Sequence, residues 1–240
     1  MFSLKHFIWI GLSIIFIIVM SIISKKKKFS LKLASLIMVG ICSLSEISKM
    51  FTNMIESEAG GMALNPRSLP FHLCSLMLFV VFYICFAKDG KLKQLLMNFL
   101  AVMGTIGSFC AILIPTNGVQ FNDIGAYQCF VYHAGLMWFS IYLIISKNAN
   151  LGFKSYVSNL ITISVLVLMM IYVNGALSAY NTNFFYVVRP PMKDLPILNL
   201  NHGWYVYFLT LVALGITLIS LFHLPFIIKE RKEKKEKLDK

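Results

Sequence analysis

Charge is what this chain has least of. Only 13% of its 240 residues are Asp, Glu, Lys or Arg, against about 25% in soluble domains, and the mean hydropathy is +0.76. No soluble domain is left over once the apolar stretches are set aside. The five cysteines, Cys42, Cys74, Cys85, Cys110 and Cys129, are odd in number and scattered within or at the edges of apolar stretches. That distribution excludes a disulfide framework and leaves free, buried thiols. No paired metal-ligand spacing occurs, so a metal site assembled from His72, His133, His202 and Cys74 has suitable ligand types but no sequence support. No metal and no other cofactor is expected. There is neither a fixed-period repeat nor an inverted pair of interrupted helices of the transporter kind. The net charge of +12 suggests nucleic acid, but it is divided among short segments that flank apolar runs. No basic domain exists to hold a duplex, so nucleic acid is not an expected partner.

What is present is apolar length. A bilayer core of roughly 30 Å needs about 20 apolar residues at 1.5 Å each. Seven windows supply them: 6 to 24, 31 to 51, 69 to 87, 95 to 114, 128 to 146, 156 to 176 and 202 to 224. The expected fold class is all-α, a polytopic membrane bundle of seven transmembrane helices. Residues 1–228 form a single transmembrane domain and residues 229–240 a basic, mixed-charge tail that continues the last helix into solvent.

The lysines set a direction. Lys25 to Lys28, Lys32, Lys88, Lys91, Lys93, Lys147, Lys154 and the tail put 17 basic residues on one side. Lys5, Lys49, Arg67, Arg189 and Lys193 lie on the other. Short basic loops stay cytoplasmic, so the N-terminus is expected outside and the C-terminus inside, as an odd span count requires. The first span has one lysine before it, four after it and no small-residue cleavage site, which marks a retained helix rather than a secretory signal. A multi-pass protein of the cell membrane, in contact with membrane lipids, follows.

Ionisable groups inside a bilayer are costly and mark functional sites unless they are paired. With this topology His72, Cys74, His133 and His202 fall near the outer ends of spans three, five and seven, and Glu46 and Asn174 reach the same level. The inner half offers chiefly Asn98, with Ser164 in span six. One polar pocket opening outward is expected. Blander readings stand beside it: Glu46 pairs locally with Lys49 three residues on, His202 sits among headgroups, and the histidines only lock helices together. His223 and His6, at span ends, are expected to be interfacial.

In Ser68-Leu69-Pro70-Phe71-His72-Leu73-Cys74-Ser75, Ser68 fits a helix N-cap and Pro70 the first turn. The positive helix end favours a Cys74 thiolate, whereas burial opposes it. Two residues apart on a regular helix point about 200° apart, so His72 is ill placed as the base and another helix must supply it. His133 is at the right depth, and the neighbouring Ala134 and Gly135 permit close approach. A Cys and His pair from different helices is what nucleophilic acyl transfer needs. In the loop Leu177 to Asn201, Asn181 and Asn183 are candidate lid residues or amide donors to an oxyanion, and Arg189 is a candidate partner for a lipid phosphate. An aromatic interfacial belt accounts for Tyr180, Phe184, Phe185 and Tyr186 equally well.

Leu69-Pro70-Phe71-His72-Leu73-Cys74, Tyr132-His133 and Asn181-Thr182-Asn183-Phe184-Phe185-Tyr186 followed by Arg189-Pro190 together resemble the bacterial YwaF-type integral membrane proteins, related to the transmembrane protein 164 family. The resemblance spans nearly the whole chain. It implies a compact helical bundle and, from the animal branch, an acyltransferase that moves a fatty acyl chain through a cysteine onto a lysophospholipid. Cys74 matches that cysteine, with an acyl-chain donor and a lysolipid acceptor as partners. The expected function is therefore thiol-dependent acyl transfer at the outer leaflet: Cys74, His133 and His72 do the chemistry, and Glu46, Asn181, Asn183, Arg189 and His202 bind substrate. The alternatives are a transporter, channel or receptor using the same pocket, and a non-enzymatic membrane assembly partner.

Overall fold

The computed structural model describes residues 2–56, 60–192 and 195–239; Lys193 and Lys240, both used in the charge argument, lie outside the described residues. It is 74% helical. Seven helices follow in order: α1 Leu4–Lys26, α2 Leu31–Thr52, α3 Leu73–Phe86, α4 Lys91–Leu113, α5 Ile124–Ile145, α6 Phe153–Ala176 and α7 Trp204–Leu238. All but α3 are long and apolar enough to cross a membrane. The seven-helix, all-α membrane fold read from the sequence is the fold observed. Side chains start several of the helices. Ser3 and Ser30 accept from the amides of His6 and Leu33, and Asp123 accepts from Gly125, each satisfying an N–H that the helix cannot.

The start of α3 differs from expectation. Ser68 does not cap it. Asn65 accepts from the Arg67 amide and opens a short 3₁₀ turn, Pro66–Ser68, and α3 begins only at Leu73, with His72 as N-cap. The cause is Pro70, whose ring disfavours helical backbone at the preceding residue. Leu69 accordingly sits at φ −55°, ψ 147°. Two short antiparallel strands, β1 Ile55–Glu56 and β2 Met62–Ala63, precede this segment.

The bundle is organised on α5, against which α1, α2 and α4 pack; α3 closes the ring between α2 and α4, and α6 and α7 pair beside α4. Lipid is as apolar as leucine, so association rests on close packing rather than on a hydrophobic drive. Glycines provide the approach. A Cβ at Gly135 would stand 3.0 Å from Ile41, and one at Gly104 would stand 2.2 Å from Ser140 Oγ. That hydroxyl is held between the carbonyls of Leu100 (3.1 Å) and Leu136 (2.8 Å). Gly104→Ala is therefore expected to destabilise the bundle by roughly 1–3 kcal/mol, lowering the thermal midpoint in detergent. The double variant with Ser140→Ala should recover most of the loss, and additive losses would refute the contact as the cause.

The lysine-rich end is more polar than the sequence suggested. His223, expected to be interfacial, is fully buried. Its Nδ1–H donates to Leu151 O (2.9 Å), and its Nε2 accepts from Asn159 Nδ2 (3.1 Å). Asn98 accepts from Gln94 (2.9 Å) and from the Asn150 amide (2.8 Å). This network ties α4, α6, α7 and the α5–α6 loop together. His6, likewise expected to be interfacial, is buried; it bonds Ile112 O (2.9 Å) and accepts from the Phe2 amide (3.2 Å). Carbonyls distant in sequence, Ile112 in the last turn of α4 and Leu151 in the α5–α6 loop, meet these rings, which span position alone does not convey.

The helical continuation expected of α7 runs to Leu238, and it docks. Glu230 Oε2 accepts from the Phe153 amide at the start of α6 (2.9 Å), while Oε1 accepts from Lys234 (2.6 Å). Gly152 leaves room for that carboxylate. The Lys234 bond first, and the Phe153 amide second, hold the Glu230 carboxyl below its ordinary value of 4.5. A depressed folded value means that the contribution is present above the unfolded value and lost as pH falls through the folded one. The thermal midpoints of wild type and Glu230→Gln should accordingly differ at neutral pH and converge in acid. A gap that persists in strong acid would show that the carboxylate charge plays no part.

Candidate functional site

At the end of the bundle away from most of the lysines, α2, α3, α4 and α5 bring a polar cluster together beneath a folded loop. Glu46 and Lys49 on α2 form a mostly buried ion pair (2.6 Å), and Lys49 also donates to Ser75 Oγ on α3 (2.9 Å). Two buried charges are retained at this depth only because they meet each other and a hydroxyl. Beside them Gln128 of α5 donates to Ser45 Oγ (2.7 Å) and accepts from Asn117 (3.0 Å).

Cys74 lies in the first turn of α3, and its Sγ faces Gly107 of α4, where a Cβ would stand at 3.5 Å. The Tyr132 hydroxyl donates to the Cys74 carbonyl, locking α3 to α5. His72 offers no side-chain cap, so the first amides of α3 keep their donors free of one. On α5, the Nδ1 of His133 is 2.6 Å from the Cys129 carbonyl. A carbonyl only accepts, so the proton is on Nδ1 and the lone pair is on Nε2. Cys129 Sγ also lies 3.7 Å from Nδ1. Cys74 on α3 and His133 on α5 are linked through the Tyr132 bond between their helices. Among the described residues no hydrogen bond joins them directly.

The loop after α6 is folded over this end. Asn174 holds Phe184 by both backbone groups, accepting from its amide (2.8 Å) and donating to its carbonyl (3.1 Å). Phe184 is fully buried and stands edge-on to Phe71 and His72, with ring centroids 5.4 and 5.2 Å away. The Tyr207 hydroxyl donates to Tyr186 O, and Trp204 Nε1 donates to Val187 O (2.9 Å). Phe185 and Tyr186 have φ of 57° and 55°, a left-handed conformation that costs bulky residues about 1–3 kcal/mol each and survives only where the surroundings enforce it.

The remaining candidates take other places. Asn183 accepts from the Val188 and Arg189 amides (both 3.1 Å) and donates to Arg189 O (2.8 Å), so its amide turns the loop. Arg189 donates to Asn181 O (2.7 Å), and Arg67 donates to Tyr180 O (2.8 Å). His202 is exposed in the turn before α7. Tyr132, which joins α5 to α3, and Cys129, whose carbonyl holds His133, are visible in the sequence only as neighbours of that histidine. Among the described residues no group of three or more His, Cys, Asp or Glu is placed to hold a metal ion.

Seven apolar helices, four of which meet at a cluster of thiols, histidine and an ion pair beneath a strained loop, define a multi-pass membrane protein. A family model for the TMEM164 family matches residues 1–223. The chain belongs to the TMEM164 family. No curated protein and no solved structure matches it.

Proposed function

We propose that this protein is a lipid acyltransferase of the cell membrane, acting at the outer leaflet with Cys74 as nucleophile and His133 as proton carrier. The observation that carries the reading is the fixed tautomer of His133: Nδ1–H is spent on the Cys129 carbonyl, which leaves Nε2 as a base. His6 and His223, by contrast, have both ring nitrogens bonded, as purely structural histidines do.

In this scheme Cys74 Sγ attacks the ester carbonyl of a donor phospholipid while the thiol proton passes to His133 Nε2. That proton then goes to the departing glycerol oxygen, releasing a lysolipid and leaving a thioester on Cys74. The hydroxyl of an acceptor lysophospholipid attacks the thioester, gives its proton to Nε2, and the proton returns to sulfur. The uncapped amides at the start of α3 stand beside Cys74 and face the developing oxyanion. His72 and the loop over it orient the acyl carbonyl. The test is transfer of a labelled acyl chain from phospholipid to lysophospholipid by the purified full chain, compared with Cys74→Ala and His133→Ala. Undiminished transfer in Cys74→Ala would overturn the reading.

A further inference from the structure

At the opposite, lysine-rich end, the C-termini of α1 and α5 enclose a cavity of about 230 Å³ lined by Ser21, Ser24, Lys25, Lys28, Tyr142 and Ser146, with Phe29 and Ile145 completing it. No carboxylate lines it. Among the described residues neither Lys25 nor Lys28 takes part in an ion pair. Two positive charges therefore border the pocket without a counter-ion.

The backbone around it is unusual in the same direction. α1 ends in a Schellman turn, with the Phe29 amide on Ser24 O (2.9 Å) and the Lys28 amide on Lys25 O (3.3 Å). The left-handed residue of that turn is ordinarily glycine; here it is Lys28, at φ 48°, and α5 ends on Lys147 at φ 59°. Both helices thus end on a long cation where a glycine is less strained. Helix C-termini repel anions through their carbonyls, but at α1 the turn amides cover Ser24 and Lys25, and the Tyr142 hydroxyl covers Phe29 O (2.9 Å). The charged groups that line the pocket are therefore the two ammonium groups, beside a largely apolar wall.

We infer that the cavity between α1 and α5 binds a phosphate-bearing anionic group, with Lys25 and Lys28 as its cationic ligands. It lies at the end of an apolar span, at the level where lipid phosphates reside, and Phe29 and Ile145 give it an apolar side along which acyl chains leave. The site is independent of any acyl transfer at the far end of the bundle.

The full-length chain in nanodiscs of phosphatidylcholine with 30% phosphatidylglycerol, analysed by native mass spectrometry, tests this. The comparison sets Lys25→Gln/Lys28→Gly against Lys232→Gln/Lys235→Gln, which removes the same charge from the tail. Wild type and the tail variant should retain one phosphatidylglycerol, and the site variant should retain it about tenfold less. Lys28→Gly alone also relieves the left-handed strain, so it should raise the thermal midpoint while weakening retention, which separates binding from folding. In a parallel arm, pure phosphatidylcholine discs receive inorganic phosphate. Stabilisation that depends on Lys25 and Lys28 there assigns the site to free phosphate, and its absence assigns it to the lipid headgroup; both support the site. Equal retention in the site and tail variants, or none in wild type with no phosphate effect, overturns it.

Discussion

On the proposed function, His133→Ala is expected to lower the rate of acyl transfer by roughly 10²–10⁴-fold, the usual worth of a positioned general base, and Cys74→Ala to remove the thioester route altogether, while Cys129→Ala is expected to stay within a few-fold of wild type. The three results follow from one geometry. Cys129 has the thiol closest to a ring nitrogen, 3.7 Å from Nδ1, and proximity alone nominates it as nucleophile. Yet that nitrogen carries a proton bound to the Cys129 carbonyl, so it has no lone pair with which to take another. Cys74 sits at the positive end of α3, where the helix dipole favours a thiolate. The measurement is labelled acyl transfer together with trapping of the enzyme-bound thioester. Trapping on Cys129, with Cys74→Ala active, would reverse the assignment of nucleophile. Preserved secondary structure and thermal midpoint in each variant separate chemistry from folding.

Asn174→Leu is expected to detach the loop that roofs the site. The substitution nearly conserves volume but abandons the amide and carbonyl of Phe184, both tied by Asn174 at a fully buried residue. Each abandoned buried group costs about 1–3 kcal/mol, so the loss is roughly 2–6 kcal/mol. That loss falls on the loop rather than on the helices, because the Phe185 and Tyr186 conformations already oppose closure. Hydrogen exchange is the direct readout: amides from Phe184 to Arg189 should exchange at least tenfold faster while those of α4 and α5 hold. Unchanged exchange would show that the loop is held by Tyr207 and Trp204 instead. A loop loosened without unfolding would also report whether closure matters to acyl transfer.

The helices were legible because lipid imposes one length and one composition on every span, and those features are written locally. The beginning of α3 was misplaced because Ser68 and Pro70 imitate a helix start. The restriction that proline places on Leu69, and the Asx turn begun by Asn65, delay the helix to Leu73. Glu46, His72, Cys74 and His133 could be named from their depth alone. What depth could not convey was direction. Asn183 and Arg189 bond the backbone of their own loop, and His6 and His223 are held by carbonyls of α4 and of the α5–α6 loop more than 70 positions away. Polar residues at span ends look alike in a sequence; which become solvent-facing depends on how the connecting segments fold back, and that is a long-range property.

The brevity of α3 has a consequence for the surrounding bilayer. Its 14 residues give about 21 Å of helix, some 9 Å less than the usual hydrocarbon thickness. Phe79, Phe82 and Phe86 are exposed on its outside. Lipids against that face must thin or tilt to meet it, drawing headgroups and ester linkages inward along one flank of the protein. The first turn of α3, with its thiol, stands at one end of that short flank, so on the proposed function a thinned bilayer there would bring a glycerol ester nearer to sulfur before any loop has to move.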